Sequence, residues 1–301
     1  SEIIDGSKVQ AGDALIARHL WGTDFPAFDQ TDLIDIRRYG ATPDDMGDDT
    51  DAIQKALDAH DRVLVPKGVF LVSRPLRLRS SNQLLGVSKT ASVLREHPNW
   101  RGAEDGALVT TEDDAAARSS ISFLLLETRS PGRTALDWRA GAASIVRDVM
   151  TGPLTPYYGK RIGHPGQAYR IAGTGGGRWY AVAGEWGDLH GPTHDPGYAH
   201  LVIEGTREPL AFYGLNLERD AVWPQAVMRD AHNVDIFYLK SEATEWPKGT
   251  IPPGVLRVER THGLRLFGMT GNAHPPDGAL GARADGDDIL LAQIAGFQPG
   301  T

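Results

Sequence analysis

The sequence predicts an all-β solenoid, a single-stranded parallel β-helix with a capping helix over its N-terminal end. Three observations carry that expectation. A 17-residue phrase recurs five times between residues 136 and 272, apolar residues fall at fixed places within it, and a helix-forming stretch followed by short β-rich runs precedes it. A fixed phrase with variable spacers marks a solenoid, because each copy is one coil that buries its apolar edge only against the next.

The copies run LDWRAGAASIVRDVMTG (136–152), YRIAGTGGGRWYAVAGE (169–185), VIEGTREPLAFYGLNLE (202–218), AVMRDAHNVDIFYLKSE (226–242) and LRVERTHGLRLFGMTGN (256–272). In the last three, apolar residues fill place nine (Leu210, Val234, Leu264), place eleven (Phe212, Ile236, Leu266) and place fourteen (Leu215, Leu239, Met269). The change of parity between eleven and fourteen implies a corner that spends two residues on turning. Beyond it, places fourteen and sixteen point inward while fifteen and seventeen point out. Place seventeen reads Gly152, Glu185, Glu218, Glu242, Asn272. On successive coils the three glutamates form one external column, roughly 4.8 Å per step. Like charges stacked that closely are unfavourable, so the column points to a role other than stability.

Composition narrows the function classes. With 301 residues, 41% hydrophobic and 23% charged, the chain suits one elongated domain with a large core. A formal net charge of -8 and no Lys/Arg cluster argue against a nucleic-acid partner. No cysteine is present, so there is neither a disulfide framework nor a thiolate metal site. No apolar run approaches the ~20 residues that span a bilayer, and no membrane association is expected. Ser1 to Asp5 is not a signal peptide, so either a leader has been removed or the sequence starts late; a secreted or extracellular protein is expected.

Residues 1–32 read as an N-terminal padding segment, in which Ala11 to Gly22 suits either a strand or a short helix, and residues 33–301 as the β-helix domain. From Leu33 to Val87, Asp48 or Asp49 can cap a helix over Thr50 to His60 whose apolar face is Ala52, Ile53, Ala56 and Leu57. Short strands follow at 62–65, 69–72, 76–78 and 83–85, separated by Pro66-Lys67-Gly68, Arg74-Pro75 and Ser80-Ser81-Asn82. Tyr39-Gly40-Ala41, Asp48-Asp49-Thr50, Ala52-Ile53, Pro66-Lys67-Gly68 and Leu76-Arg77-Leu78 together resemble the opening module of the pectate-lyase superfamily. That resemblance implies a right-handed parallel β-helix in which the aspartate pair is structural. The loop 43–47 departs from the family's glycine-aspartate pattern.

Between 90 and 135 the coils continue with insertions, with strands at 108–111 and 121–127 and a solvated loop at Glu112-Asp113-Asp114. The wording YGLNLE, FYLKSE and LFGMTGNAH in the later coils resembles the second helix of glycoside hydrolase family 55, β-1,3-glucanases with two β-helices per chain. Only one opening module stands here, so a further N-terminal β-helix domain or a homo-oligomer is the implied protein partner.

Glycosidic hydrolysis by carboxylates needs a general acid of raised pKa and a second carboxylate, roughly 5 Å away for retention or 6.5–9.5 Å for inversion. Neighbouring and alternate coils supply about those distances. Glu218, flanked by Glu185 and Glu242, is most disfavoured as an anion and is the leading acid, with Glu242 close behind. Trp186, Trp223 and Trp246 follow the glutamates within five residues, and a tryptophan face beside carboxylates suits a sugar. Asn216, Lys240, Asn272 and His274 complete the expected substrate-binding set. Surface charge and loop packing account for these residues equally well one by one; the column as a whole favours function. The loop 187–200, with His190, His194 and His200, fits a cleft wall better than a metal site, and neither metal nor cofactor is expected. Gly173 to Gly177 are turn glycines, with no Lys-Ser/Thr behind them to make a phosphate loop. The rival readings are a lyase or epimerase on a uronic-acid polymer, which Lys240 and Arg219 favour, and a tail-spike-like adhesive module that binds glycans without cleaving them.

Overall fold

A computed structural model describes residues 28–104, 106–130, 133–152, 167–185, 199–218, 224–242, 255–271 and 282–294, with the backbone at Glu185, Glu218 and Glu242. The chain is a right-handed parallel β-helix of three sheets, each strand pairing with the strands at the same place in the coils before and after it. In the first sheet the inward ladder runs Val63, Leu84, Ile121, Val146, Trp179, Phe212, Ile236, Leu266. In the third it runs Leu76, Val109, Leu136, Tyr169, Leu201, Ala226, Leu256. All of these side chains are buried. The second sheet, between them, carries the glutamate column.

Period-two alternation explains why the inward rows are apolar, and coil stacking explains why they run so far: each inward residue packs on its equivalents above and below. The widest coils hold aromatics. Trp179 lies 5.7 Å from Trp138, 5.9 Å from Tyr169 and 5.5 Å from Phe212, ring centroid to centroid.

The expected corner is present at place thirteen, and it has a backbone cause. Phe123, Asp148, Ala181, Gly214, Tyr238 and Gly268 occupy it in successive coils, all with φ between 48° and 81°. One left-handed residue turns the chain from the first sheet into the second. It also corrects the expectation of one strand over 121–127, because Phe123 divides that stretch into Ser120–Ser122 and Leu125–Glu127. A second correction concerns the third copy of the phrase. Leu201, not Val202, pairs with Tyr169 and Ala226, and Leu210 pairs with Gly177, so this coil holds one extra residue between its strands. The strand Ser92–Glu96 joins the second sheet without having been read from the sequence.

The capping helix, α1, spans Thr50–Ala59 and ends with His60 as its C-cap. Ile53, Ala56 and Leu57 are buried in the same core cluster as Leu76 and Leu78, and Ala52 is partly buried against it. The aspartate pair is structural, as expected, with the two members doing different work. The Asp49 carboxylate accepts from the Thr42 amide at 2.8 Å and the Leu71 amide at 3.0 Å, tying loop to first coil. Burial pushes its pKa up, against those two amides. Asp48 accepts from the Thr50 amide at 3.1 Å and from Ser73 Oγ at 2.6 Å, and pairs with Arg101. Among the described residues no helix is long and apolar enough to cross a membrane.

Candidate functional site

The second sheet positions the glutamates. Glu185 pairs in register with Glu218, and Glu218 with Glu242, so the three backbones stand on consecutive coils. The residues before Glu218 and Glu242, Leu217 and Ser241, are buried. Strand spacing puts neighbouring Cα atoms of the column at roughly 4.8 Å.

The column also extends further toward the N-terminus than the repeat phrase reaches. Glu127 pairs with Arg95, and Thr151 pairs with both Leu126 and Gly184, so place seventeen reads Arg95, Glu127, Gly152, Glu185, Glu218, Glu242. Glu127 was missed because the phrase starts at residue 136. Aligning LLLE (124–127) with VMTG (149–152) would have found it. Its side chain is 1% exposed, accepts from Arg95 Nε at 2.8 Å and lies 3.5 Å from Arg129 Nε. This lower end of the column is an ion-paired foundation.

Place fifteen, the neighbouring outward row, changes character along the axis. Val93, Leu125, Met150 and Ala183 are buried and form a small apolar cluster of their own. The row then turns polar at Asn216, Lys240 and Thr270, in register with one another and beside the glutamates. The Asn216 amide N–H donates to the Val182 carbonyl at 2.9 Å, while its buried Oδ1 finds no hydrogen-bond partner among the described residues. Thus the backbones of Asn216 and Lys240, and of Glu218 and Glu242, stand in register at places fifteen and seventeen of two adjoining coils. Trp186, Trp223, Trp246, Asn272 and His274 lie outside the described residues, as do His190, His194 and Arg219.

His200 is described, and it does not line a cleft. It is fully buried on the strand Ala199–Glu204, where its amide donates to the Gln225 carbonyl at 2.8 Å. Its ring faces Gly184, whose missing Cβ would stand 3.2 Å from the His200 Cβ. The expected wall position fails here because the loop has already re-entered the third sheet by residue 199. Among the described residues no group of three or more His, Asp or Glu side chains is arranged to hold a metal ion. Gly173 is a turn residue with φ of 59°, as its sequence context implies, whereas Gly177, at φ 93°, already opens the strand Gly177–Tyr180.

Comparison with known proteins bears on this geometry. Residues 33–125 match the family model described as "Rhamnogalacturonase A/epimerase, pectate lyase-like". That match covers about a third of the chain. Over 62 residues, 21% of this chain, it is 37% identical to the preneck appendage protein of Bacillus phage PZA, and the match spans 7% of that protein's length. Among solved structures it is similar to the pre-mature gene product 12 of bacteriophage phi29, with 17% identity and a TM-score of 0.47 over 80% of this chain and 32% of that one. It is also similar to the A-module of a mannuronan C-5 epimerase from Azotobacter vinelandii, with 11% identity and a TM-score of 0.43 over 87% of this chain and 96% of the module. The pectate-lyase-like likeness thus rests on the segment whose motifs carried the resemblance. The narrower likeness to glycoside hydrolase family 55 has no counterpart in these matches.

Proposed function

We propose that the chain is a carbohydrate-active enzyme that hydrolyses glycosidic bonds in a β-glucan-like polysaccharide lying along the outer face of the second sheet. The observation that carries this reading is the register of Glu185, Glu218 and Glu242 on three consecutive coils. Glu218 is the general acid: its carboxyl proton passes to the glycosidic oxygen as the bond to the anomeric carbon breaks. A second glutamate completes the reaction. A neighbour about one coil away attacks the anomeric carbon directly, whereas one two coils away leaves room for an activated water. A general acid requires a raised proton affinity, and like-charged neighbours on adjoining coils act in that direction. Asn216 and Lys240 supply donors for sugar hydroxyls, and Trp186, Trp223 and Trp246 the stacking faces.

The test uses Glu218→Gln and Glu242→Gln on a glycan panel scored for reducing-sugar release. Loss of the acid lowers kcat by roughly 100-fold or more, while relief of repulsion leaves thermal stability unchanged or slightly raised. Near-normal turnover in Glu218→Gln alone passes the acid role to Glu242. Full activity of both variants on a verified substrate sinks the hydrolase reading.

One observation favours a second reading. Lys240 stands beside Asn216 and Thr270 on the same outward row, and an ammonium there suits the carboxylate of a uronic-acid polymer handled by a lyase or epimerase. Absorbance of an unsaturated product, in place of new reducing ends, identifies that reaction. Binding with neither signal identifies an adhesive module. All three readings place the protein's work outside a cell, on a glycan, with a second copy or a further β-helix domain as its protein partner.

A further inference from the structure

At Tyr238 the fold carries two costs that the adjoining coils avoid at the same corner. The residue is 49% exposed, and its backbone sits at φ 70°, where a bulky side chain is rare. In the coils before and after, the same corner is made by Gly214 and Gly268, at φ 75° and 81°. The turn therefore needs no side chain here. Nor does the ring serve the aromatic ladder next to it. Tyr180, Tyr213, Phe237 and Phe267 stack face to face at 4.8, 5.2 and 5.3 Å, so their faces are covered and only their edges look out. Tyr238 stands beside that ladder and has no ring stack or side-chain hydrogen bond among the described residues. A Cβ on Gly268 would touch its Cδ2 at 3.9 Å, whereas a Cβ on Gly214 would meet nothing within 4 Å. One side of the tyrosine is backed by the next coil and the other is open.

We propose that Tyr238 is a sugar-stacking platform at the edge of the glutamate column, taking one pyranose unit of a neutral polysaccharide. The proposal rests on the reading of that column as a glycan site and adds the residue that holds the sugar. Two residues on in the same strand stands Lys240, and two further on the backbone of Glu242, so an aromatic residue and a cationic one precede the column along the strand. Asn216 lies across from Lys240, its Oδ1 without a hydrogen-bond partner among the described residues. A flat ring meets the C–H face of a pyranose while such polar groups take its hydroxyls. The two glycines keep the neighbouring coils from crowding the ring.

The test is a comparison of Tyr238→Gly, Tyr238→Trp and the unaltered 301-residue chain, with a β-1,3-linked gluco-hexasaccharide, a β-1,4-linked gluco-hexasaccharide and an oligogalacturonate hexamer as probes. Calorimetry gives Kd and thermal denaturation gives Tm. Tyr238→Gly restores the residue used by the adjoining coils, so its Tm is unchanged or raised while its Kd for a neutral hexasaccharide increases roughly fivefold to tenfold. Tyr238→Trp keeps the affinity. An unchanged Kd in Tyr238→Gly, a Tm lowered by several degrees in that variant, or failure of the unaltered chain to bind either neutral probe overturns the proposal. The column reading fails separately. If Tyr238→Gly loses affinity but the unaltered chain cleaves nothing, the platform stands and the hydrolase falls. If Glu218→Gln loses cleavage while Tyr238→Gly binds normally, the hydrolase stands and the platform falls.

Discussion

Trp179→Ala probes the interior most directly. Trp179 is 1% exposed, meets Trp138, Tyr169 and Phe212 at ring distances of 5.5–5.9 Å, and its Nε1 donates to the Gly176 carbonyl at 3.4 Å. Truncating a buried tryptophan costs about 3–5 kcal/mol, and three aromatic partners put this site at the upper end. At 2–4 °C per kcal/mol for domains of 150–250 residues, that corresponds to a Tm lower by roughly 10 °C. Coils stabilise one another mainly as nearest neighbours, so the transition should also broaden as coils on the two sides of the cavity separate. Differential scanning calorimetry reads both effects, and far-ultraviolet circular dichroism tests whether β-structure is lost in the same transition. Trp179→Phe should recover most of the loss. A Tm within about 3 °C of the unaltered protein, in a single sharp transition, would refute the close-packed aromatic interior on which the prediction depends.

Further outcomes follow from the ionised groups. At Asp48, partial burial works against the charge, but hydrogen bonds from Ser73 and Thr50 and the Arg101 guanidinium outweigh it and hold the carboxyl well below the usual range. Since the folded pKa is lowered, its stabilisation is present above the unfolded value near ~4 and is lost as the pH falls toward the folded one. Asp48→Asn should therefore be less stable than the unaltered protein at neutral pH, with the gap closing in acid titrations followed by circular dichroism; a gap that widens in acid contradicts this. Arg133, 3% exposed, pairs with the 2% exposed Glu96 at 3.3 Å and lies 4.0 Å over the Trp100 ring. Arg133→Met leaves Glu96 with only the Arg129 and Ser130 donors and should cost about 3 kcal/mol in urea denaturation, against less than 1 kcal/mol if water reaches the carboxylate.

How much of this was legible in advance depended on periodicity. From the order of amino acids alone, the repeat in 136–272 identifies a solenoid, places nine, eleven and fourteen identify its inner rows, and the Asp48-Asp49-Thr50 segment identifies the capping helix. A parallel β-helix repeats one local environment coil after coil, so burial is written into the chain at a nearly fixed interval. The glutamate register was readable for the same reason. What the sequence did not decide is whatever breaks that interval. The extra residue between Leu201 and Leu210 shifts the third copy by one place, and only the hydrogen-bonded pairing with Tyr169 and Ala226 reveals it, because a one-residue slip exchanges inside for outside. Phe123 sits at the corner although nothing in its chemistry favours a positive φ; its place is imposed by the coils above and below. Glu127 joined the column, and His200 entered the core, through the same stacking between coils. The covalent order determines which rows each coil offers, but a coil has no inside until its neighbours close over it, and so the tertiary structure alone decided where residues outside the regular interval, such as Glu127 and His200, came to stand.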